Sequence, residues 1–568
     1  MKQLTYKLVT LADVASAIDK SLPLMVDTET IGLYGKIRLV QFYQGTEAFQ
    51  QGDVPVAYLV EYPNIYELLQ LMETVETVGY NFHYDISCIQ AAIGNISWVP
   101  SKFQDAFLAS RLYFYTRDEF SMDKVISYMV GHNPYGTTKS EMHKADWSVP
   151  VLSEEQKMYG AADVIYLWDL WTLIGPTSLE DINYQLDLIT LRNCLDMQCN
   201  GLPIDMDILE EQYKENAQRI KDIGLTINVN SWKQVRPYIG SEMSDDNGLA
   251  YLSANGNERA TQVREVRKLT KQNSFLTKFQ NTVRNGCLFG KFKPSARSGR
   301  LTSDDQNLQQ LPRKLKKLFG VTEEGDEIIL FSDFAQIQLR GVCVITADKT
   351  MEALFRANED LHNYVARFIF GDDFTPEHRQ ISKTANFSLL FGAGIEVFKA
   401  VLLKDAGMLL SDAKASEIKK AWLKLWKEIA AWQNLGIKDW KNGKAWETPL
   451  GRRYVSKMMT DQLAMQIQGF EAEVAKLAWH YMKPRLAELD KRILLRNFVH
   501  DSYLFTCPND KDKYEKACFI IADAMQEAWR EMCQSVTIKD LPMPVKVRAG
   551  WNWGDIEKGT FVYELNKA

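Results

Sequence analysis

The stretch "MVDTETI" at residues 25–31 carries two carboxylates, Asp27 and Glu29, inside an apolar run that reads as a β-strand. Strand side chains alternate between faces, so these two point the same way and sit side by side. Like charges so placed repel, and burying them is costly unless a cation lies between them. A divalent metal ion would resolve the conflict and bring chemistry with it: activation of a water and stabilisation of charge at a phosphate. Taken alone, the pair also reads as a strand end running into a solvated loop. Further acids follow, however. "GYNFHYDISC" places Asp85 after another short apolar strand, with Asn81 four residues earlier, and "KMYGAADVIYLWDL" reads as a helix on which Tyr159 and Asp163 share one face.

A second group of chemically suggestive residues lies far downstream. Asp333 ends the apolar strand of "EIILFSDFAQIQLR", and Asp501 interrupts the apolar run of "LLRNFVHDSYLF". Carboxylates in such positions are costly unless paired or metal-bound. In "FTPEHRQISKTANFSLLFGAG", Thr375 suits an N-cap, Pro376 the first helical position and Gly392 the end of a helix. Within that helix Arg379, Lys383, Phe387 and Phe391 follow at i+4 steps along one slowly drifting face. Two cations near the positive end of a helix are unfavourable by themselves, so an anion belongs there, and a triphosphate suits.

The elements that must position these residues fall into blocks. "KIRLVQFYQ" and "VPVAYLV" read as strands, "NIYELLQLMETV" and "SKFQDAFLASRLYF" as amphipathic helices, which makes the first block an α/β domain. "LIGPTSLED" supplies a Gly-Pro break, after which the pattern is mainly helical to about residue 290. Strand signals return near Asp333 and Asp501, with a long helical stretch between them. A chain of 568 residues exceeds one hydrophobic core, and its 46% hydrophobic and 25% charged composition is that of a soluble globular protein. No apolar run approaches a membrane span or a signal peptide, which points to a cytoplasmic location and excludes a membrane partner. The eight cysteines show no zinc or disulfide pattern. The net charge of -6 conceals a basic stretch from Arg264 to Arg300, including Arg267, Lys271, Lys291, Lys293 and Arg297, whose only acid is Glu265. That stretch could track phosphates.

In order and spacing, Asp27, Glu29, Asp85, Tyr159 and Asp163 resemble the motifs of the DEDD-type 3′-5′ exonucleases of the tyrosine subclass. Asp105 resembles a recurring segment of that domain, with no catalytic role assigned. The downstream stretches resemble the three polymerase motifs of the DNA polymerase I family, family A: motif A in "DFAQIQLR", motif B in the Arg379-to-Gly392 run, motif C in "VHDS". Flanks agree, in "ARSGRLTSDDQNLQQLP", "EDLHNYVARFIFG", "IQGFEAEVAKLA" and "GWNWGD".

The resemblance implies an α/β, RNase H-like exonuclease domain at 1–175 and a right-hand polymerase. Its parts would be a connection at 176–205, a helical thumb at 206–290, an α+β palm at 291–350 and 446–568, and helical fingers at 351–445. It implies two magnesium ions per site, replaceable by manganese: Asp333 and Asp501 as ligands in the palm, Asp27, Glu29, Asp85 and Asp163 in the exonuclease, where Tyr159 orients the attacking water. Arg379, Lys383 and His362 would hold the incoming dNTP, with Lys383 also the proton donor to pyrophosphate. Phe387, Phe391, Gln336 and Gln338 would line the sugar and base. Arg300, Asn307, Gln309, Gln468 and His500 would contact primer-template DNA. The expected protein is a monomeric, compact, phage-like replicative polymerase without a 5′ nuclease, working with replication accessory proteins.

Departures from the family pattern are Gln338 for Glu, Phe391 for Tyr and Ser502 for Glu, together with a short segment between "GRRYVSK" and "IQGF" that lacks one expected arginine. They bear on sugar selection and primer-end grip. Two rival readings remain: an enzyme working only as an exonuclease, with the second half a DNA clamp, and a non-catalytic primer-template-binding accessory protein. The complete carboxylate set speaks against the accessory protein, and Asp333, Asp501, Arg379 and Lys383 speak against the clamp.

Overall fold

Alternation of side chains builds the first sheet. In the computed structural model, which describes residues 3–135, 141–142 and 144–567, Leu24–Ile31 is a strand with Val26, Thr28 and Thr30 buried and Asp27 and Glu29 partly exposed. It lies between Lys36–Tyr43, antiparallel, and Thr77–Gly79, parallel. Asp27 stands opposite Gln41, and Glu29 opposite Leu39. Thr5–Leu8 and Val54–Glu61 extend the sheet on one side and Phe103–Asp105 on the other.

The helix Glu154–Glu180 packs over this sheet. Its N-terminus is fixed by a capping box between Ser153 and Gln156, and its buried Val164, Leu167 and Leu170 join Val26, Val40, Phe42 and Leu59 in one core. Each such side chain contributes about 1.5–3 kcal/mol on burial. These elements belong to a compact unit of Met1–Asn200, Lys291–Asp305 and Leu450–Tyr454.

Two local expectations are corrected. The Gly175-Pro176 pair does not end the helix, which runs on to Glu180 with Pro176 inside it. Pro176 costs one helical hydrogen bond, about 3 kcal/mol, but Trp171 and Ile174 before it and Ser178 after it are buried. Gly175 is there because a Cβ would meet the Trp171 ring at 2.8 Å. Tertiary packing therefore outweighs the local breaker. The segment "SKFQDAFLASRLYF" is not one helix but a strand, Phe103–Asp105, followed by a helix, Ala106–Tyr113. Asp105 makes the switch as N-cap: its carboxylate accepts from the amides of Phe107 and Leu108, and its second oxygen from the amide of Phe82.

The second unit comprises Gly201–Gly290, Gln306–Pro449 and Val455–Ala568. Its antiparallel sheet has the order Leu494–Val499, Ser502–Pro508, Glu327–Phe334, Val545–Gly550, Tyr563–Lys567, so the strand ending near Asp333 is central. Helices Met459–Leu489 and Lys511–Cys533 pack together behind it, and the Tyr503 hydroxyl donates to the Ala475 carbonyl. Helices Met206–Ile223, Trp232–Ile239, Asp246–Ala254 and Glu258–Thr282 enclose a small core of their own around Val235, Leu249 and Val263. Arg267, read as part of a phosphate-tracking stretch, is committed to structure there: it donates to the carbonyls of Val229 and Ser244 at 2.7 and 3.0 Å. Among the described residues no helix is long and apolar enough to cross a membrane.

Candidate functional site

In the first unit, ligand oxygens of Asp27, Glu29 and Asp163 all lie within 4.8 Å of one another. They line a cavity of about 700 Å³ together with Asp85 and Tyr159. The strand presents two of the acids and the long helix the third, so sheet-helix packing is what brings them together. Three carboxylates so close fit a divalent cation through their hard oxygen donors.

Asp85 stands one layer back. It is buried, and its Oδ1 accepts from the amide and hydroxyl of Thr28 at 2.9 and 2.6 Å. Burial pushes its carboxyl up to about 7, although the Thr28 hydrogen bonds oppose the shift. The Tyr159 phenol is held far above its usual range by burial and by the charges of Asp163, Glu29 and Asp27, so it stays a neutral donor beside the acids. Tyr135, which sequence reasoning missed, is buried and raised in the same way, burial first and Asp163 next; its loop has no periodic signal to mark it. Lys293, expected in the palm, lines this cavity and forms an ion pair with Asp304 at 3.1 Å.

In the second unit, strand register places Asp333 directly opposite Ser502, one residue from Asp501. Asp501 does not interrupt a strand, as the sequence suggested, but sits in the two-residue turn between Val499 and Ser502. Its neighbour His500 has φ 59°, and Gln336, just past Asp333, has φ 55°. Such left-handed backbone is uncommon outside glycine, and here it ends the strand that carries Asp333 and the strand that leads to Asp501 abruptly. Asp333 is solvent-accessible, yet desolvation by the surrounding protein and the charges of Glu557 and Glu471 push its carboxyl up to about 6, against the pull of Lys316 and Arg548. The part of this rise that comes from neighbouring carboxylates marks a place where a cation is welcome. Arg340, also missed, is buried and donates to the carbonyls of Ala335 and Pro542 at 2.9 and 2.6 Å, which pins the Ala335–Gln336 bend. Gln338 is half-buried on the helix Ile337–Thr346 that follows.

Motif B forms the helix Pro376–Ser388, capped by Thr375, then a 3-10 turn Leu389–Phe391 closed by Gly392 at φ 77°. Ile381, Ser382, Ala385 and Asn386 are buried, whereas Lys383 and Phe387 are exposed and Arg379 and Phe391 partly so. The four residues at i+4 steps thus form the open face. Arg379 is held by Asn363 and by Asp360, each at 2.7 Å; a half-exposed ion pair of this kind is worth about 0–1 kcal/mol, so a phosphate can replace it. His362 is buried beside Asn386, 3.0 Å away. Burial lowers its pKa to about 4, with Arg379 and Lys383 assisting against Asp360. As a neutral ring it can offer a phosphate a hydrogen bond but no charge.

Of the expected DNA contacts, Asn307, Gln309, Gln468 and His500 lie in this second unit and Arg300 in the first. Gln309 donates to the Phe498 carbonyl at 3.1 Å and Asn497 to the Leu308 carbonyl at 3.0 Å, fastening that segment along the strand that leads to His500. His500 and Asn307 are exposed, and Gln468 is half-buried on the Met459–Leu489 helix.

Comparison with known proteins shows the family. Residues 205–555 match the model for DNA polymerase family A, and residues 3–177 that for a 3′-5′ exonuclease. The chain belongs to DNA polymerase family A. This polymerase is 27% identical to DNA polymerase I of Aquifex aeolicus, over 94% of its own length and 96% of that protein's. It is also 27% identical to the thermostable DNA polymerase I of Thermus thermophilus, over 66% of this chain, and spans about half of that relative, 48%. The POL domain of Pol1 from M. smegmatis, solved with DNA primer-template and dNTP, shares the fold at a TM-score of 0.75 and 19% identity, across 97% of this chain and 99% of that one. The chain is thus a DNA polymerase with a 3′-5′ exonuclease domain.

Proposed function

We propose that the polymerase performs two phosphoryl-transfer reactions on DNA at two separate carboxylate centres: template-directed nucleotide addition at Asp333 and Asp501, and removal of 3′-terminal nucleotides at Asp27, Glu29, Asp85 and Asp163. The observation that carries the reading is that each unit brings its own acids together: three in reach of one cation in the first, and Asp333 beside the Asp501 turn in the second. Divalent cations, magnesium by the hard-oxygen character of both sites, would supply charge neutralisation and a more acidic water or 3′-hydroxyl.

The chain's own residues account for the rest. At the exonuclease centre the Tyr159 hydroxyl orients the attacking water. At the polymerase centre Arg379 exchanges Asp360 for the triphosphate and His362 adds a neutral hydrogen bond. The primer 3′-hydroxyl gives its proton to solvent as its oxygen bonds to the α-phosphorus; the bond from that phosphorus to the pyrophosphate oxygen breaks, and Lys383 Nζ gives its proton to that oxygen. Phe387 packs on the sugar and base, with Gln336, Gln338 and Phe391 around them. In the second unit Gln468, Asn307, Gln309 and His500 hold the duplex end, where minor-groove acceptors are alike for every correct pair and report geometry without sequence; Arg300, of the first unit, is a separate DNA contact. Replication, in a bacterial or a phage setting, is the role this pair of activities suits. The test is primer extension on a defined template: each template base should direct its complement, and a chelator should stop both extension and degradation. Incorporation indifferent to the template would refute the proposal.

A further inference from the structure

In the second unit the helices Leu361–Phe370, Pro376–Ser388 and Asp412–Leu425 pack against one another. On the last of them Ala415, Ile418, Trp422 and Leu425 recur at steps of three and four residues and are all buried, the stripe of a helix that faces a core. A tryptophan in that stripe carries an N–H into the core with its ring, and a buried N–H needs an acceptor. Trp422 finds one, because its Nε1 donates to Asn386 Oδ1 at 2.8 Å. Asn386 lies on the buried face of the motif B helix with Ser382 and Ala385, and its Nδ2 is 3.0 Å from His362 Nδ1. All three side chains are buried, so the three groups must satisfy one another.

The donors and acceptors follow from the chemistry of the groups. An indole nitrogen only donates, so the amide atom facing Trp422 must be the oxygen. The other end of the amide is then its NH2 group, which only donates, so His362 Nδ1 must accept. A neutral imidazole with an accepting Nδ1 carries its proton on Nε2. The opposite tautomer, and the imidazolium too, would press an Nδ1–H against the amide N–H. Burial of the ring favours the neutral form as well, with Arg379 and Lys383 assisting against Asp360. Among the described residues the ring makes no hydrogen bond but this one, and it lies 5.9 Å from the ring of Phe387 on the open face of the motif B helix. The Nε2–H group is therefore the one left to meet a ligand there.

We propose that Trp422 and Asn386 are positioning residues for nucleotide binding, a buried relay that fixes His362 as its Nε2–H tautomer, so that the ring donates to triphosphate oxygens instead of turning a lone pair toward them. The proposal rests on the reading of His362 as a ligand of the incoming dNTP. Trp422 and Asn386 act only through the imidazole.

The test uses the full-length protein at neutral pH, labelled with nitrogen-15 in its histidine rings; the His362 signals are those lost in His362→Gln. In the wild type Nδ1 should show the chemical shift of a bare nitrogen and Nε2 that of a protonated one. Trp422→Phe keeps an aromatic ring and removes the N–H, which frees the amide to turn its oxygen toward His362, and the proton should move to Nδ1. Asn386→Asp, whose carboxylate only accepts, should move it there too, and decides the matter where the phenylalanine variant does not fold. In single-nucleotide extension Trp422→Phe should raise the dNTP KM about tenfold, the loss of a hydrogen bond to a charged group, with little change in kcat. In a His362→Ala background the same substitution should leave KM within about twofold, because the relay has nothing left to act on. A wild-type Nδ1 that carries the proton, or a Trp422→Phe effect on KM of equal size with and without His362, overturns the relay alone. A His362→Ala protein with the wild-type dNTP KM overturns the nucleotide reading of His362 beneath it.

Discussion

Replacing Gly160 by alanine tests how the exonuclease acids are brought together. Gly160 lies between Tyr159 and Asp163 on the helix that packs over the sheet. An added Cβ would stand 2.8 Å from Gln41 Nε2 and 3.0 Å from its Cγ. Gln41 is fully buried and sits opposite Asp27, so the intrusion falls under the cluster itself. Ordinary carbon contact begins near ~3.5 Å, so the helix or the amide must give by about 0.7 Å. In an open helix Gly→Ala stabilises by about 0.8–1.0 kcal/mol; overpacking of a closed site costs about 1–3 kcal/mol, so a net loss of up to about 2 kcal/mol is expected. Misplacement of catalytic groups by ~1 Å can cost ~100-fold in rate, and a shift of this size should slow degradation of single-stranded 3′ ends about tenfold or more. Template-directed extension, measured on the same preparation, is the internal control and should hold within about twofold. A Gly160→Ala protein that degrades DNA at the wild-type rate with an unchanged or higher melting temperature would refute the reasoning, because the helix would then not owe its position to this contact.

Phe387 lies on the open face of the motif B helix and has no oxygen to stand in for a missing 3′-hydroxyl. Dideoxynucleotides should therefore be strongly disfavoured, and Phe387→Tyr should relax the bias; equal use of both nucleotides by an exonuclease-deficient parent would contradict this. Gln338 should act as a steric gate against ribonucleotides, weakened by about 1 kcal/mol, or several-fold, because Phe391 cannot donate a hydrogen bond to fix its rotamer. Gln338→Ala should remove most of the remaining barrier, and an unchanged ratio of dNTP to NTP insertion efficiencies would show that Gln338 is not the gate. His362, with its pKa lowered to about 4 by burial, is uncharged throughout the working range, since a depressed folded-state value leaves the ring neutral until the pH falls to that value. The ratio of dNTP KM values for His362→Gln and wild type should stay constant from about pH 6 to 8; a wild-type advantage that grows as pH falls through about 6.5 would mean that the ring binds as a cation.

Much of both sites was legible in the chain because local rules and tertiary structure agree there. "MVDTETI" alternates as a strand must, and Asp27 and Glu29 share a face. Thr375, Pro376 and Gly392 cap the motif B helix where their chemistry says they should. Two of the misreadings share a cause: a local signal overruled by distant packing. Pro176 reads as a breaker, but buried neighbours carry the helix through it. "SKFQDAFLASRLYF" reads as one amphipathic helix until Phe103–Asp105 finds its parallel partner in Thr77–Gly79. Arg340 and Tyr135 gave no sign, and Lys293 was legible only as one cation of a basic stretch, because their partners are brought to them by the fold alone. The joining of Lys291–Asp305 and Leu450–Tyr454 to the first unit is likewise a long-range pairing that no periodicity encodes.

The central claim is that two independent carboxylate centres carry two activities. The most direct measurement is to assay extension and single-stranded 3′ degradation side by side in Asp27→Ala with Glu29→Ala and in Asp501→Ala, each checked for folding by circular dichroism. The account predicts that the first variant extends primers but no longer degrades them, and that the second degrades but no longer extends. Loss of both activities in either well-folded variant would contradict it.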